Sequence, residues 1–263
     1  MHAHLNGIDL FYEEHGSGDP VLLIPGLGSD TGTWATVLPA LEKYRVISIE
    51  NRGSGRSGKP AGPYTTALMA EDAMALLNEL KIERAHVIAK SMGGMIAQML
   101  AAAHPSRVRS LVLACTLMQH DAYGEELLEL GRILAEKAGL FETYRLAFLL
   151  SYSKEYCMTN RSRLDEAKRL LAKVGNRELL DGYIAQSFAC EQHDSRAAAK
   201  MIQAPTLVLG AKEDMITTPQ HSIDLSRAIA GSELIVLSHG KHGFWREFPA
   251  EVNPIVVDFL SRH

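Results

Sequence analysis

The sequence predicts an α/β fold: a mostly parallel central sheet with helices on both faces, interrupted by a helical insertion. Three observations carry this. Short, largely apolar runs such as Val21-Leu22-Leu23-Ile24 and Leu111-Val112-Leu113-Ala114 alternate with stretches of helical spacing, as expected of parallel strands buried on both faces. The alternation stops near Thr116, gives way to helical periodicity, and resumes at Pro205. Several runs end directly in glycine-rich turns, the position from which open parallel sheets present their ligand loops.

Taken in order, residues 8–12 alternate loosely and are expected as an edge strand, followed by turn residues through Pro20. The strand at 21–24 leaves the sheet at Pro25-Gly26-Leu27-Gly28, residues 34–43 carry helical spacing, and 45–49 form the next strand. The glycine-rich stretch 51–57 has neither a Gly-Lys-Ser/Thr ending nor Gly-x-Gly-x-x-Gly spacing, which argues against a phosphate cradle. Met69, Ala73, Leu76, Leu77 and Leu80 share one helix face. A strand through Val87 and Ile88 then runs abruptly into Ser91, a helix follows to about His104-Pro105, and 108–114 is a further strand.

Residues 116–200 are expected as a helical cap inserted into a core made of 1–115 and 201–263. Apolar residues recur there at helical intervals, at Leu127, Leu130 and Leu134, at Tyr144 and Phe148, and within 164–174 and 179–188. No proline interrupts the chain between Pro105 and Pro205. Phe141, Tyr152, Met158 and Phe188 of the insertion, with Trp245 beyond it, are the expected pocket-lining residues. Beyond the insertion, strands at 205–209 and 234–237 alternate with helices at 219–229 and 252–260.

Composition narrows the function classes. The 263 residues carry a formal charge of −4 with no basic run, which gives no footing for nucleic acid. The N-terminus lacks a charged start with an apolar core, and no apolar stretch is long enough to cross a membrane, so a cytoplasmic protein with a small-molecule partner is expected. Cys115, Cys157 and Cys190 form no Cys-x-x-Cys pair, and the eleven histidines form no His-Glu-x-x-His. Neither disulfides, a metal nor a cofactor is therefore expected. Oligomeric state is not legible.

The chemistry begins at Ala89-Lys90-Ser91-Met92-Gly93. A serine at a sharp strand-to-helix turn is exposed beside free amides, as a nucleophile requires, although a serine there can also simply cap the helix. The deciding feature is what the other strands deliver at the same sheet edge: Gly26-Leu27-Gly28, then Asp214 and His242, so that serine, acid and histidine follow in that order. A hydroxyl needs a base to become nucleophilic, and a histidine needs an acid to orient it. Glu213 and Asp121 are rival acids and His239 a rival base.

Along nearly its whole length the chain resembles the α/β-hydrolase family, including the turn Arg52-Gly53-x-Gly55-x-Ser57 and the block 204–209. Ser91-Met92-Gly93-Gly94-Met95-Ile96-Ala97-Gln98 and 107–114 look most like the small capped ester and lactone hydrolases, such as 3-oxoadipate enol-lactonase. The resemblance implies Ser91 as nucleophile, Asp214 as orienting acid and His242 as base, the last from its similarity to the family's Gly-His…Glu-x-Pro ending. It also implies the backbone amides of Leu27 and Met92 as the oxyanion hole. Pro25, Ala89, Ala211 and Lys241 depart from residues common in the family, and Lys90 places a cation before the nucleophile. Lys90 is expected either to pair with an acid such as Glu50 or to sense a substrate carboxylate. The expected activity is cofactor-free hydrolysis of a small ester or lactone through an acyl-enzyme. Carbon-carbon bond hydrolysis or lyase chemistry with the same triad, and a ligand receptor on this fold, are the alternatives.

Overall fold

The computed structural model describes every residue except 174 and 175, together with the side chains of all but these two and residues 170, 172, 173 and 176. Eight strands form one sheet in the order β1-β2-β4-β3-β5-β6-β7-β8. β1 (His2–Leu5) and β2 (Ile8–His15) make an antiparallel hairpin, and β2 runs antiparallel to β4 (Arg45–Ile49). β3 (Pro20–Ile24), β4, β5 (Ala85–Lys90), β6 (Val108–Ala114), β7 (Thr206–Ala211) and β8 (Glu233–Leu237) are parallel. The sheet is therefore mostly parallel, as the near-continuous apolar strands require.

The expected edge strand at 8–12 is longer and lies one place inside the edge. Asn6 and Gly7, both at positive φ (48° and 76°), turn the chain through a tight hairpin and add β1 outside it, a turn for which Asn-Gly is the strongest short signal. The helix expected over 34–43 is instead two 3₁₀ turns, Thr31–Trp34 and Leu38–Leu41. Pro39 lacks the N–H that a continuous helix would need at that point. Trp34, Val37 and Leu41 are nonetheless buried, so the spacing marked the correct inward face.

One face of the sheet packs α1 (Thr66–Glu79), α2 (Met92–Ala103) and α8 (Pro219–Ala228) through Leu76, Leu77, Ile96, Leu100 and Leu225. The other packs α10 (Pro249–Ser261) and the 3₁₀ turns through Trp34, Leu41, Val256 and Phe259. Short α9 (Phe244–Glu247) precedes α10. Between β6 and β7 lie α3 (Ala122–Ala138), α4 (Leu140–Ser151), α5 (Lys154–Thr159), α6 (Arg161–Lys173) and α7 (Asn176–Glu191). The apolar run expected over 164–174 ends on Val174, which lies outside the described residues. The two connections to these helices meet: Gln119 bridges Asp194, and Ser195 N–H donates to Met118 O at 2.9 Å. No helix among the described residues is long and apolar enough to cross a membrane.

Because β3 lies between β4 and β5, successive connections leave it in opposite directions, and the loops after β3 and β5 open a crevice at the carboxyl edge. Residues 26–28 and Ser91 stand on either side of it.

Candidate active site

Ser91 occupies φ 56°, ψ −125°, between β5 and α2. A non-glycine residue held in this left-handed region stores about 1–3 kcal/mol of strain, which neighbours must enforce. They do so through close packing. A Cβ on Gly93 would lie 2.1 Å from Ile24 O, and one on Gly94 would lie 2.6 Å from the Thr116 side chain, so both glycines are needed to bring α2 against β3 and the end of β6. Thr116 Oγ1 also donates to Ser91 O at 2.8 Å. Ala89 is fully buried at the start of the turn, where a methyl is accommodated.

Ser91 Oγ lies 3.0 Å from His242 Nε2, and His242 Nδ1 lies 2.9 Å from Asp214 Oδ2. With Nδ1–H donating to Asp214, Nε2 is left to accept the serine proton, the tautomer that a base requires. Asp214 is held in turn by Ile216 N–H (2.8 Å) and Thr217 N–H (3.0 Å) on Oδ1 and by Thr217 O–H (2.8 Å) on Oδ2. Burial alone would raise its pKa, but the His242 charge and these hydrogen bonds outweigh it and hold the carboxyl below its ordinary value.

The rivals lie elsewhere. His239 pairs with Glu251 at 3.1 Å and packs against Phe248. Glu213 is exposed, and Asp121 caps α3 through Gly124 N–H at 2.8 Å.

The amide of Met92 opens α2, where no carbonyl one turn earlier exists to accept it. Leu27 lines the cavity from the β3 loop, whose Gly26 packs so near Ser91 that a Cβ there would lie 3.1 Å from Ser91 Cβ. That loop is pinned from the inserted helices. Gly28 N–H donates to Gln186 Oε1 at 2.8 Å, Gln186 Nε2 donates to Arg52 O at 2.6 Å, and Tyr144 O–H donates to Gly28 O at 3.1 Å. Burial, reinforced by Asp30, pushes the Tyr144 phenol up to about 12, so it remains a donor. Gln186, Tyr144 and Thr116 have no such role in the sequence reading, because their roles depend on contacts between distant segments that no local pattern encodes. Thr217 acts locally, three residues beyond Asp214, in the acid-Thr-Pro pattern that marks Asp214 in the sequence.

A cavity of about 320 Å³ opens above Ser91 and His242. Lys90 and Tyr152, both expected there, line it, together with Leu27, Tyr144, Phe148 and Ile216. The other expected lining residues are displaced. Trp245 is 2% exposed and packs edge-on against Trp34 in the core, with its N–H donated to Asn253 Oδ1 at 2.7 Å. Phe188 lies under the Arg132 guanidinium on the outside of α7, Phe141 faces Lys168, and Met158 is 69% exposed on α5. Helical periodicity marked these positions as apolar without distinguishing the cavity from the outer surface.

Lys90 also departs from one expectation. Glu50 is engaged by Arg56, at 2.6 Å, and by Thr31, while half-buried Lys90 has no ion-pair partner among the described residues. In the glycine-rich stretch, Gly53, Ser54 and Ser57 donate their amides to Gly58, Asn51 and Ser54, and Arg56 donates its amide to the Glu50 carboxylate, so these four amides serve the turn itself.

Residues 19–245 match the model of the alpha/beta hydrolase fold family. A relative from Azorhizobium caulinodans, named RutD and designated a candidate carbamate hydrolase, is 30% identical over 99% of this chain and 98% of its own length. Among solved structures, the enol-lactonase from Burkholderia xenovorans LB400 superposes with a TM-score of 0.90 at 28% identity, covering 99% of this chain and 100% of its own. Est816, described as an N-acyl homoserine lactone degrading enzyme, superposes with a TM-score of 0.81 at 26% identity, covering 98% and 100%.

Proposed function

The chain belongs to the alpha/beta hydrolase fold family, and from that premise we propose that it is a cofactor-free serine hydrolase of small carboxylic esters or lactones. One observation carries the reading: the continuous Ser91–His242–Asp214 hydrogen-bond chain, at 3.0 and 2.9 Å, at the floor of a cavity of about 320 Å³. Ser91 Oγ attacks the substrate carbonyl as His242 Nε2 takes its proton, and Asp214 stabilises the imidazolium. The tetrahedral oxyanion faces the amides of Leu27 and Met92, in a loop held by Gln186 and Tyr144. Collapse breaks the ester C–O bond, His242 protonates the departing alkoxide, and a water deprotonated by His242 then releases the acid from Ser91. In a lactone the departing alkoxide remains part of the same molecule.

The helices between β6 and β7 serve as the cap, supported by the cavity wall that α4 and α7 supply through Tyr144, Phe148 and Tyr183. A reduced, cytoplasmic setting accords with three free cysteines, two of them buried. The relative designated a carbamate hydrolase favours a second substrate class, since a carbamate presents the same carbonyl to the same serine.

Turnover of a panel of esters, lactones and carbamates by wild type and Ser91→Ala tests the proposal. Ser91→Ala is expected to lose at least about a thousandfold in kcat while keeping its circular dichroism spectrum. Ester turnover at the wild-type rate by that variant overturns the reading.

A further inference from the structure

Outside the cavity wall, α4, α5 and α6 enclose a groove of about 630 Å³. Its apolar surface comes from Leu149, Met158 and Leu164, and Leu149 and Met158 are 52% and 69% exposed. Its charged lining is entirely cationic: Arg145, Lys154, Arg161 and Lys241, with no carboxylate among the lining residues. Arg145 is paired with Glu142 at 3.2 Å, whereas Lys154, Arg161 and Lys241 have no ion-pair partner among the described residues. Glu247, at the end of the short helix after His242, is occupied by the N–H and O–H of Ser153.

The groove and the cavity share two residues, Phe148 and Tyr152. These rings lie 5.1 Å apart, and Tyr152 also stacks on Tyr156 at 4.5 Å. The two spaces thus adjoin at the aromatic side chains at the end of α4. Lys241, on the groove side, is adjacent in sequence to His242, and Lys90, on the cavity side, is adjacent to Ser91. The cavity stands at the lower end of the range for small-molecule sites, about 300–1,000 Å³, and takes the reacting carbonyl with a short neighbouring segment. A longer acyl chain that continues toward the groove runs past Phe148 and Tyr152.

We propose that the groove is a second substrate subsite, which seats the anionic end of an elongated acyl ester or lactone whose carbonyl lies at Ser91. Apolar walls suit an alkyl segment, and unpaired cations without a competing carboxylate suit a terminal carboxylate. This rests on the serine-hydrolase reading and names the substrate class for that site.

The test is a matched series of acyl esters of graded chain length, each with a neutral methyl or a carboxylate terminus, assayed with wild type and with Lys154→Met, Arg161→Met and the double variant. Both substitutions are on exposed positions, and a thermal melt verifies folding. The ratio of kcat/KM for the carboxylate series to that for the neutral series is expected to rise above its short-chain value only once the chain is long enough to reach the groove. The double variant should lower that ratio by about tenfold, through KM rather than kcat, and added salt should lower it in wild type. Ser91-dependent turnover with no carboxylate preference at any length overturns the subsite and leaves the hydrolase reading intact, whereas turnover that survives Ser91→Ala overturns the reading itself. A preference confined to short acids and lost only in Lys90→Met places anion selection in the cavity and refutes the groove. Binding to phosphatidylglycerol vesicles that the double variant loses, with an unchanged selectivity ratio, identifies the groove as a membrane contact and likewise refutes the proposal.

Discussion

Gly243→Ala isolates the contact between the inserted helices and the loop that carries His242. Gly243 has φ −88° and ψ 11°, a conformation open to alanine, so the effect must come from what the new methyl meets. It would lie 2.2 Å from Tyr152 Cε1, 2.6 Å from Cδ1 and 2.7 Å from Cζ, where carbon atoms need about 3.5–4 Å. The ring must therefore move by more than about 1 Å. The two segments cannot simply separate, because Gly243 N–H donates to Ser151 O at 2.7 Å and Ser153 N–H to Glu247 at 3.1 Å. Tyr152 gives way instead, losing its contacts with Phe148 and Tyr156, each worth about 0.5–1.5 kcal/mol. The total of about 1–3 kcal/mol is expected as a lower melting temperature and a rise of about tenfold in KM for a neutral ester. The change in kcat should stay within about threefold, since the His242 partners remain in place. Steady-state kinetics of Gly243→Ala, Tyr152→Ala and the double variant form the assay. In the Tyr152→Ala background the added methyl meets no ring, and Gly243→Ala should be nearly silent. An equal loss in both backgrounds would refute the reasoning and place the effect in the backbone that carries His242.

Three further outcomes are expected. Gln186→Leu removes a fully buried side chain that satisfies Gly28 N–H and Arg52 O; it should cost about 1–3 kcal/mol of stability and about 10–100-fold in kcat by loosening the loop of Leu27, and unchanged kcat would detach that loop from catalysis. Lys90→Met should lower kcat/KM for short acidic esters by about threefold to tenfold more than for neutral ones, and equal values in both variants would remove Lys90 from substrate selection. Burial depresses His86, His120 and His193 to about 4 each, helped by Arg109, His221 and His120 respectively. The unfolded chain, with histidines near 6.5, binds more protons below that pH, so the native state is undiminished above about 6.5 and loses up to about 3 kcal/mol per histidine as pH falls to about 4. Urea unfolding across that window should give a steep slope that His86→Gln reduces by one histidine's share; an unchanged slope would contradict a neutral, buried His86.

Much of the fold was legible because parallel strands buried on both faces are written as unbroken apolar runs. The strands from β3 to β8 and helices α1, α2, α8 and α10 lie where that rhythm placed them. Errors fell where a local signal competes with the period. At 34–43 the spacing was helical while Pro39 forbade a continuous helix. At 6–7 a hairpin turn followed a strand of four residues, His2–Leu5, too short to announce itself.

The site divides along the same physical line. Ser91, Asp214 and His242 were legible as candidates because each ends a strand, and the strands of a parallel sheet all deliver their ends to one edge. Nothing equivalent locates the cavity wall. A helix in an insertion buries one face against its own neighbours, such as the Ala135, Leu140 and Tyr183 cluster, and apolar spacing reports burial without reporting against what. Phe148 and Phe188 carry the same residue type in the same texture, yet one borders the cavity and the other lies beneath Arg132 on the surface. The shape of the cavity is therefore held in contacts between segments that are far apart in sequence. Gln186, 158 residues from the Gly28 amide it accepts, shows how far. A substitution there is silent to any reading of motifs while acting one residue from the proposed oxyanion donor, so the inserted helices both border the cavity and hold the loop that bears that amide.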